Sequence, residues 1–281
     1  MVRPNPNPSP EELAYASITQ YIAEPNSFQV GGTGSLYVAQ HRPTNELVAI
    51  KVIPLSDLKL RKTFDNEVKA LQTMKKSLYT VHLRESFEYN GRGYIVMDLL
   101  SQDLYTRSEQ FESIKEVRDI FFQVCDGVQE LHKHKIAHLD LKPENILLDQ
   151  HDNIKICDLG GSFLWKRTPE HFGFVGSDFY LAPEIFAHER GYNASKADVW
   201  SLGIMLYVLL TGAFPFGGNT KEQTMSNYFA SCLCFSEFDS LYPHEVACRD
   251  LLARMLSRNP LNRPSVSDVL CHPWFQVTPR F

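Results

Sequence analysis

The residues best suited to chemistry lie in one short stretch, from His138 to Asn145. It contains Asp140, Lys142 and Asn145, which supply one acid, one base and one amide. Such groups can accept a proton, meet an anion and offer an oxygen ligand to a hard cation. A second acid, Asp158, follows in an Asp-Leu-Gly sequence thirteen positions after Asn145. The first spacing taken alone is equally compatible with a solvated loop, so the surrounding elements must decide between the two interpretations.

The elements on either side of this stretch predict a loop at the end of a buried helix. Before it, apolar residues recur every three or four positions, which is typical of an amphipathic helix: Val117, Ile120, Phe121, Val124, Val128 and Leu131. After it comes the short apolar run Ile146-Leu147-Leu148. Two histidines at the helix end, His132 and His134, are expected to interact with the helix dipole rather than with a metal.

A second buried helix is predicted further along the chain, from Val199 to Leu210, because this run is hydrophobic on nearly every face. Asp198 stands at its start. Its carboxylate is expected to cap the helix amides, to anchor a neighbouring loop, or to do both.

The N-terminal half reads mostly as strands with one helix. Lys51 interrupts the apolar run from Leu47 to Ile53, and a buried ammonium group needs an anion unless it reaches water. The following helix has an apolar stripe of Phe64, Val68 and Leu71, with Glu67 beside it. Glu67 is therefore the candidate partner of Lys51, and a surface glutamate is the alternative.

A glycine-rich stretch precedes this strand and includes Gly31, Gly32 and Gly34. Without side chains, backbone amides can approach phosphate oxygens closely. A plain glycine-rich β-turn explains the stretch equally well when it is considered alone.

Composition sets the broad class of the protein. The 281 residues are 43% hydrophobic and 22% charged, with a net charge of −5, which predicts a globular chain and gives no support for nucleic-acid binding. The six cysteines (125, 157, 232, 234, 248 and 271) lack metal-site spacing, so reduced thiols are expected. There is no export or lipidation pattern and no apolar run of about 18 residues, so we expect a cytoplasmic or nuclear location without membrane insertion.

Taken in order, the motifs resemble the eukaryotic Ser/Thr protein kinases, most closely the calcium/calmodulin-dependent-kinase-like group, over roughly Phe28 to Phe275. The resemblance implies an α+β, bilobal protein-kinase-like fold. Its small antiparallel-sheet N-lobe, with one helix, would cover about 25–97. A hinge would follow at 98–102, and a larger, mainly α-helical C-lobe would cover 103–281. Residues 1–24 would form a Pro-rich N-terminal arm.

The resemblance also implies roles for the site residues. Asp140 would accept the proton of the substrate hydroxyl, and Lys142 would meet the moving phosphoryl group. Lys51 would hold the α- and β-phosphates of ATP while Glu67 orients it. Asn145 and Asp158 would bind Mg²⁺, or Mn²⁺ in its place. The residues expected at the nucleotide are Gly31, Gly32, Gly34, Leu36, Ala49, Lys51, Met97, Asp98, Leu100, Asp103, Leu147 and Asp158. Met97 would be the gatekeeper, and Asp103 would meet the ribose or serve as a helix N-terminal acid.

Lys142, two residues after Asp140, and Ser177 both match the pattern of the serine/threonine-specific branch of the family, so the resemblance implies serine or threonine substrates. In the Ala-Pro-Glu motif, Glu184 needs a cation if it is buried, and Arg263 is its expected partner. Glu144 could favour a basic residue in the substrate, although Val208 stands where an acid is common in kinases with that preference. We expect protein substrates and a monomeric catalytic domain.

Three positions depart from the family pattern. Gln29 stands in place of the first loop glycine, Leu139 in place of the arginine before Asp140, and Leu159 in place of phenylalanine. Without that arginine, an activation-loop phosphate would lose its main partner, so activity is expected not to require phosphorylation between Asp158 and Glu184. A pseudokinase or scaffold that binds nucleotide weakly is the alternative. A small-molecule phosphotransferase is disfavoured by the Ala-Pro-Glu segment.

Overall fold

The structure is a computed structural model that describes residues 18–30, 34–173, 175–216, 223, 226–228 and 235–276. The described residues form two compact units. The first contains the residues up to Lys76 together with Val81–Leu100, and the second contains Ser77–Thr80 and the residues from Ser101 onward. The change between units after Leu100 falls inside the predicted hinge. Residues 77–80, predicted in the N-lobe, belong instead to the second unit, where the Tyr79 carbonyl accepts a hydrogen bond of 2.7 Å from the Ile156 amide.

The first unit is an antiparallel five-stranded sheet with one helix. The sheet order is β1-β2-β3-β5-β4, and its strands are β1 (Tyr21–Val30), β2 (Ser35–His41), β3 (Leu47–Pro54), β4 (Leu83–Tyr89) and β5 (Arg92–Asp98). The strand β1 begins inside the predicted arm of residues 1–24, because Tyr21, Ile22 and Ala23 already pair with β2. Helix α1 (Leu58–Thr73) is capped by Asp57, whose carboxylate accepts hydrogen bonds from the Lys59 and Leu60 amides.

The pairing register gives the sheet two distinct faces. Leu36 lies opposite Lys51, and Ala49 lies opposite Met97, so these four side chains share one face. The other face carries a buried apolar cluster of Ala39, Val48, Ile50 and Val96. Strict alternation along β3 therefore separates a face that carries Lys51 from a face that is purely a packing surface.

The second unit is mainly helical. Its helices are α2 (Leu104–Ser108), α3 (Ile114–Lys133), α4 (Ala194–Thr211), α5 (Ser236–Leu241), α6 (Val246–Met255) and α7 (Val266–Leu270). Short strands form three small sheets between the helices. They are β6 (Gln102–Asp103), β7 (Ile136–Ala137), β8 (Ile146–Leu148), β9 (Ile154–Ile156), β10 (Phe163–Leu164), β11 (Glu170–His171) and β12 (Tyr192–Asn193).

Helix α4 lies at the centre of the second unit, and the predicted buried helix is confirmed. Nearly every side chain between Ala197 and Leu210 is buried. The prediction that Asp198 caps this helix is wrong, because Asn193 is the N-cap and accepts the Lys196 amide. The helix begins at Ala194, which places Asp198 in the helix interior. Gly212 ends the helix with φ of 70°, a conformation that glycine adopts without strain.

The α+β class, with an antiparallel-sheet unit and a mainly helical unit, is as predicted. Within the described residues, none of the helices combines the length and the apolar character needed to span a bilayer. Cys125, Cys157, Cys248 and Cys271 form no disulfide within the described residues, and Cys232 and Cys234 lie outside them.

Candidate active site

In the first unit, Lys51 and Glu67 form an ion pair. The Lys51 Nζ lies 2.6 Å from the Glu67 Oε2, and the two side chains are 12% and 1% exposed. Glu67 lies on the buried face of α1 with Phe64, Ala70 and Leu71, whereas Val68 is only half-buried. The apolar stripe is therefore rotated from the predicted one, and Glu67 lies within it. Because both charges are largely removed from water, each depends on the other for compensation.

The first unit also contains other residues that were predicted to contact the nucleotide. Leu36, Ala49 and Met97 share the Lys51 face of the sheet. A Cβ atom on Gly34 would lie 2.4 Å from the Val52 carbonyl oxygen, so only glycine fits there. The Asp98 carboxylate accepts a hydrogen bond of 2.6 Å from the Arg84 Nε.

Three further residues of this unit were predicted to contact the nucleotide. Leu100 is half-buried in the segment after β5. Gly31 and Gly32 lie outside the described residues.

In the second unit, Asp140 is the centre of a polar cluster. Its Oδ1 accepts a hydrogen bond of 2.8 Å from the Ser177 hydroxyl, and its Oδ2 lies 3.3 Å from the Lys142 Nζ. Lys142 in turn donates to the Ser177 hydroxyl over 2.7 Å. The structure therefore brings together the predicted acid, the predicted lysine and the serine of the Gly-Ser-Asp segment. This arrangement holds one carboxylate in a fixed orientation beside a cation.

Asn145 connects this cluster to the next loop. It ends a short 3₁₀ helix (Pro143–Asn145) and is buried. Its Nδ2 donates to the Asp140 backbone oxygen over 2.8 Å and to the Asp140 Oδ2 over 3.2 Å. The donor side of the carboxamide is thereby used, which leaves Oδ1 as the atom to offer to a cation.

Asp158 follows shortly after strand β9, and a backbone hydrogen bond joins the residue before it to Asn145. The Cys157 amide donates to the Asn145 carbonyl over 3.0 Å, directly before Asp158. Asp158 adopts a left-handed backbone with φ of 57°, which is uncommon outside glycine. Carboxylate and amide oxygens are ligands that Mg²⁺ accepts, and Mg²⁺ usually keeps water and phosphate as its other ligands. A pair of protein ligands therefore fits this ion.

Asp198 holds the backbone of the loop that carries Asp140. Its buried carboxylate accepts the His138 amide at 2.9 Å and the Leu139 amide at 2.8 Å. It also lies 2.8 Å from the Nε2 of His132, which is in the last turn of α3, so His132 contacts Asp198 in addition to having its predicted place at the helix end. His134 behaves as predicted, because its Nδ1 lies 2.9 Å from the Glu130 carbonyl oxygen at the helix end.

Asp103 serves as a helix cap in this structure. Its carboxylate accepts the Thr106 amide over 2.7 Å at the start of α2, which is the second of the two predicted roles. Leu147 lies opposite Asp103 in the β6–β8 pair and is half-buried.

The predicted pair of Glu184 and Arg263 is confirmed. The two side chains form a bidentate contact of 2.6 and 2.7 Å, and the guanidinium lies 4.8 Å from the centre of the Trp200 ring. The other guanidinium N–H groups donate to three backbone carbonyls, those of Lys196, Ser257 and Arg258. Burial is the main reason that the pKa of Lys196 is lowered, and the neighbouring Arg263 charge lowers it further.

Sequence reasoning missed one residue that supports the site. The Ser201 hydroxyl donates to the Tyr180 carbonyl over 2.8 Å and so ties helix α4 to the 3₁₀ helix Asp178–Tyr180. The only available signal was a hydroxyl residue within an otherwise apolar helix run. Tyr180 is itself buried, and burial together with the nearby Glu144 charge raises the pKa of its phenol above the ordinary value of 10.

The described residues thus include both an oriented acid and a lysine paired with a carboxylate. Comparison with known proteins identifies the class of protein: the family model of the protein kinase domain matches residues 29–275. The chain is 33% identical over 220 residues to serine/threonine-protein kinase 17A of Oryctolagus cuniculus, covering 74% of this chain and 54% of the relative. It is 32% identical over 248 residues to CBL-interacting serine/threonine-protein kinase 8 of Arabidopsis thaliana, covering 84% and 53%.

A third relative is calcium-dependent protein kinase 25 of Arabidopsis thaliana, at 30% identity over 255 residues, covering 88% of this chain and 48% of the relative. The chain thus spans about half the length of these curated relatives. The chain belongs to the protein kinase family, and its relatives are Ser/Thr kinases. The predicted family is confirmed.

Proposed function

We propose that this protein is an active Mg·ATP-dependent kinase that transfers the γ-phosphate of ATP to serine or threonine hydroxyls of protein substrates. The observation that carries the proposal is the hydrogen-bonded group of Asp140, Lys142 and Ser177. A scaffold has no need for a carboxylate held at 2.8 Å from a hydroxyl and 3.3 Å from an ammonium group. Family membership supports the same reaction class.

In the proposed reaction, the substrate hydroxyl oxygen attacks the γ-phosphorus while the bond to the β–γ bridging oxygen breaks and ADP leaves. The Asp140 carboxylate accepts the hydroxyl proton as the new P–O bond forms. Lys142 offers positive charge to the transferring group, and Ser177 keeps both side chains oriented. Lys51, held by Glu67, is proposed to bind the α- and β-phosphates.

Asn145 and Asp158 are proposed to hold Mg²⁺. When bound, this ion supplies charge neutralisation to the phosphate oxygens. Both side chains offer hard oxygen donors, and the hydrogen bonds from the Asn145 Nδ2 to Asp140 fix the direction of its carboxamide. The same contacts keep Asp140 close to the residue that would carry the metal.

Activity is further proposed not to require phosphorylation between Asp158 and Glu184. Leu139, which stands where the family usually has an arginine, is buried and has a left-handed backbone with φ of 64°. An apolar buried side chain cannot pair with a phosphate. Ser162 is also buried, which disfavours a phosphate there, whereas Thr168 is exposed.

Location and specificity are proposals as well. The described cysteines form no disulfide, which supports a cytoplasmic or nuclear setting. A preference for basic peptides is proposed from Glu144, whose charge lies close enough to Tyr180 to affect its pKa.

The test is a transfer assay with Mg·ATP and a generic basic peptide, run beside an Asp140→Asn control. Transfer by the wild type and its loss in Asp140→Asn are expected. A wild type that fails to transfer phosphate but is thermally stabilised by nucleotide would instead indicate a pseudokinase. A Ser162→Ala, Thr168→Ala double variant should keep its turnover, and loss of turnover with the fold intact would refute the independence from phosphorylation.

A further inference from the structure

A junction of three chain segments lies beside the catalytic loop in the second unit, and it centres on His171. The imidazole of His171 lies 4.6 Å from the Phe163 ring and 5.5 Å from the Tyr192 ring, measured between ring centres, and it meets Tyr192 nearly edge-on at 88°. The edge-on contact with Tyr192 is a favoured geometry for aromatic pairs, and the Phe163 ring is tilted by 43° against the imidazole. The three rings form a neutral cluster, which we call the His171 junction.

Each aromatic partner belongs to a segment that fixes the catalytic loop. Phe163 lies opposite Ala137 in the β10–β7 pair, and Ala137 directly precedes His138. Tyr192 belongs to β12, which runs directly into α4, the helix that carries Asp198. The His171 ring therefore joins the strand before the catalytic loop to the strand before the helix that holds the loop's amides.

Strand pairing and hydrogen bonds also hold the segments of the His171 junction together. His171 lies opposite Tyr192, and Glu170 lies opposite Asn193, in the β11–β12 pair. The Tyr192 hydroxyl donates to the Gly173 carbonyl over 3.0 Å, and the Ala194 amide donates to the Pro169 carbonyl over 2.7 Å. The segment between Pro169 and Gly173 is thereby tied at both ends to the start of α4.

Within the described part of the chain, the His171 Nε2 is buried and has no hydrogen-bond partner. A Cβ atom on Gly173 would lie only 2.7 Å from this nitrogen, so the ring edge packs directly against the Gly173 backbone. An unpartnered buried nitrogen costs free energy, so polar contacts of Nε2 do not account for a ring at this position. The ring at position 171 therefore acts through packing and not through a hydrogen bond from Nε2.

The segment continues from Gly173 to the catalytic group. Gly176 has φ of 115°, and a Cβ atom there would lie 2.5 Å from the Leu139 carbonyl oxygen. The next residue, Ser177, donates to Asp140. Gly176 is thus packed against the catalytic loop at Leu139, the position where the family usually has its phosphate-binding arginine.

We infer that His171 is a positioning residue whose packing between Phe163 and Tyr192 replaces an activation-loop phosphate in holding the segment that presents Ser177 and the peptide platform. This inference rests on the proposed kinase function. Its specific claim is that an aromatic ring at position 171, rather than a charge, sets the order of the segment. Loss of the ring should therefore weaken peptide binding far more than ATP binding.

The experiment compares His171→Ala with two matched controls, His171→Phe and Glu170→Ala. His171→Phe keeps a ring and removes the unpartnered nitrogen, and Glu170→Ala changes the exposed neighbour on the same strand. We expect the peptide KM of His171→Ala to rise roughly tenfold, because two aromatic contacts are lost, while the ATP KM stays within about twofold. Both controls should match the wild type.

A second measurement does not depend on catalysis. Lys166 and Arg167 are exposed in the same segment, so trypsin cleavage after them reports whether the segment has loosened. Faster cleavage is expected in His171→Ala but in neither control. If the wild type lacks kinase activity, the proposed function fails while this cleavage comparison still decides the inference.

His171→Leu provides a milder perturbation if His171→Ala does not fold. It keeps apolar bulk at position 171 and removes the ring, so a rise of several-fold in peptide KM and faster tryptic cleavage are expected. The inference is overturned if His171→Ala matches Glu170→Ala in both readouts. It is also overturned if His171→Leu, used alone, leaves both unchanged.

Discussion

Replacement of Arg263 by alanine should destabilise the protein strongly. The Arg263 side chain is fully buried, and the Glu184 side chain is 14% exposed. All five guanidinium N–H groups have acceptors, two on Glu184 and three on backbone carbonyls. Arg263→Ala therefore leaves a nearly buried carboxylate without its counter-charge and three carbonyls without their donor.

The size of the effect follows from these losses. Breaking one partner of a buried ion pair costs about 3–5 kcal/mol. Because domains are stable by only about 5–15 kcal/mol, this is a large fraction of the total. For a chain of this size each kcal/mol corresponds to about 2–4 °C, so the melting temperature should fall by roughly 10 °C.

Thermal and urea unfolding of Arg263→Ala measure this loss. The matched control is Arg254→Ala, because the Arg254 side chain is 61% exposed and pairs with Asp250 at the surface; exposed pairs contribute about 0–1 kcal/mol. Arg263→Lys should fall between them, since lysine keeps the charge but cannot form the bidentate contact. Equal melting temperatures for Arg263→Ala and Arg254→Ala would refute the reasoning.

Three further predictions follow from the site. Glu67→Gln should lower kcat/KM roughly 10–100-fold while the fold is kept, because Lys51 loses the negative charge of Glu67 but keeps a side chain of the same shape beside it. An unchanged kcat/KM in steady-state kinetics would contradict this prediction. Burial lowers the pKa of His171 in the folded protein below its ordinary 6.5. As the pH falls below about 6.5, this histidine therefore binds a proton more readily in the unfolded chain than in the folded one, and the free energy of unfolding should decrease. Urea titrations at about pH 7.5 and about pH 5.5 should show a smaller decrease in His171→Phe. Asp198→Asn should cost about 1.5–3 kcal/mol and lower kcat, because a neutral amide holds the two loop amides less strongly; unfolding and kinetics that match the wild type would exclude this role.

The sequence was most informative where a charged residue stands among apolar ones. Lys51 lies inside an apolar strand and therefore needs an anion. Glu67 was identified as that anion because it lies on the one helix that follows the strand. The pairing of Glu184 with Arg263 was predicted from the family resemblance, although the two residues are 79 positions apart. In each case a buried charge narrowed the choice of partner.

The remaining features were not predictable for physical reasons. Strands of two residues, such as β11 and β12, show no measurable periodicity, so the His171 junction had no signal in the sequence. The contact between His132 and Asp198 joins two helices whose relative rotation depends on tertiary packing. The cap of α4 was misplaced because Asn193 precedes the apolar run by several residues, and helix boundaries depend on local backbone geometry.

The alternation of faces along β3 bears on how this chain can tolerate length changes. Because consecutive side chains point to opposite sides, adding or deleting one residue between Leu47 and Lys51 would send the lysine toward the apolar cluster and bring a neighbouring hydrophobic residue to its place. β3 is hydrogen-bonded to a strand on each side, so a shift of its register would break the pairing with both β2 and β5. Insertions and deletions should therefore be far less acceptable within β3 than in the turns that flank it.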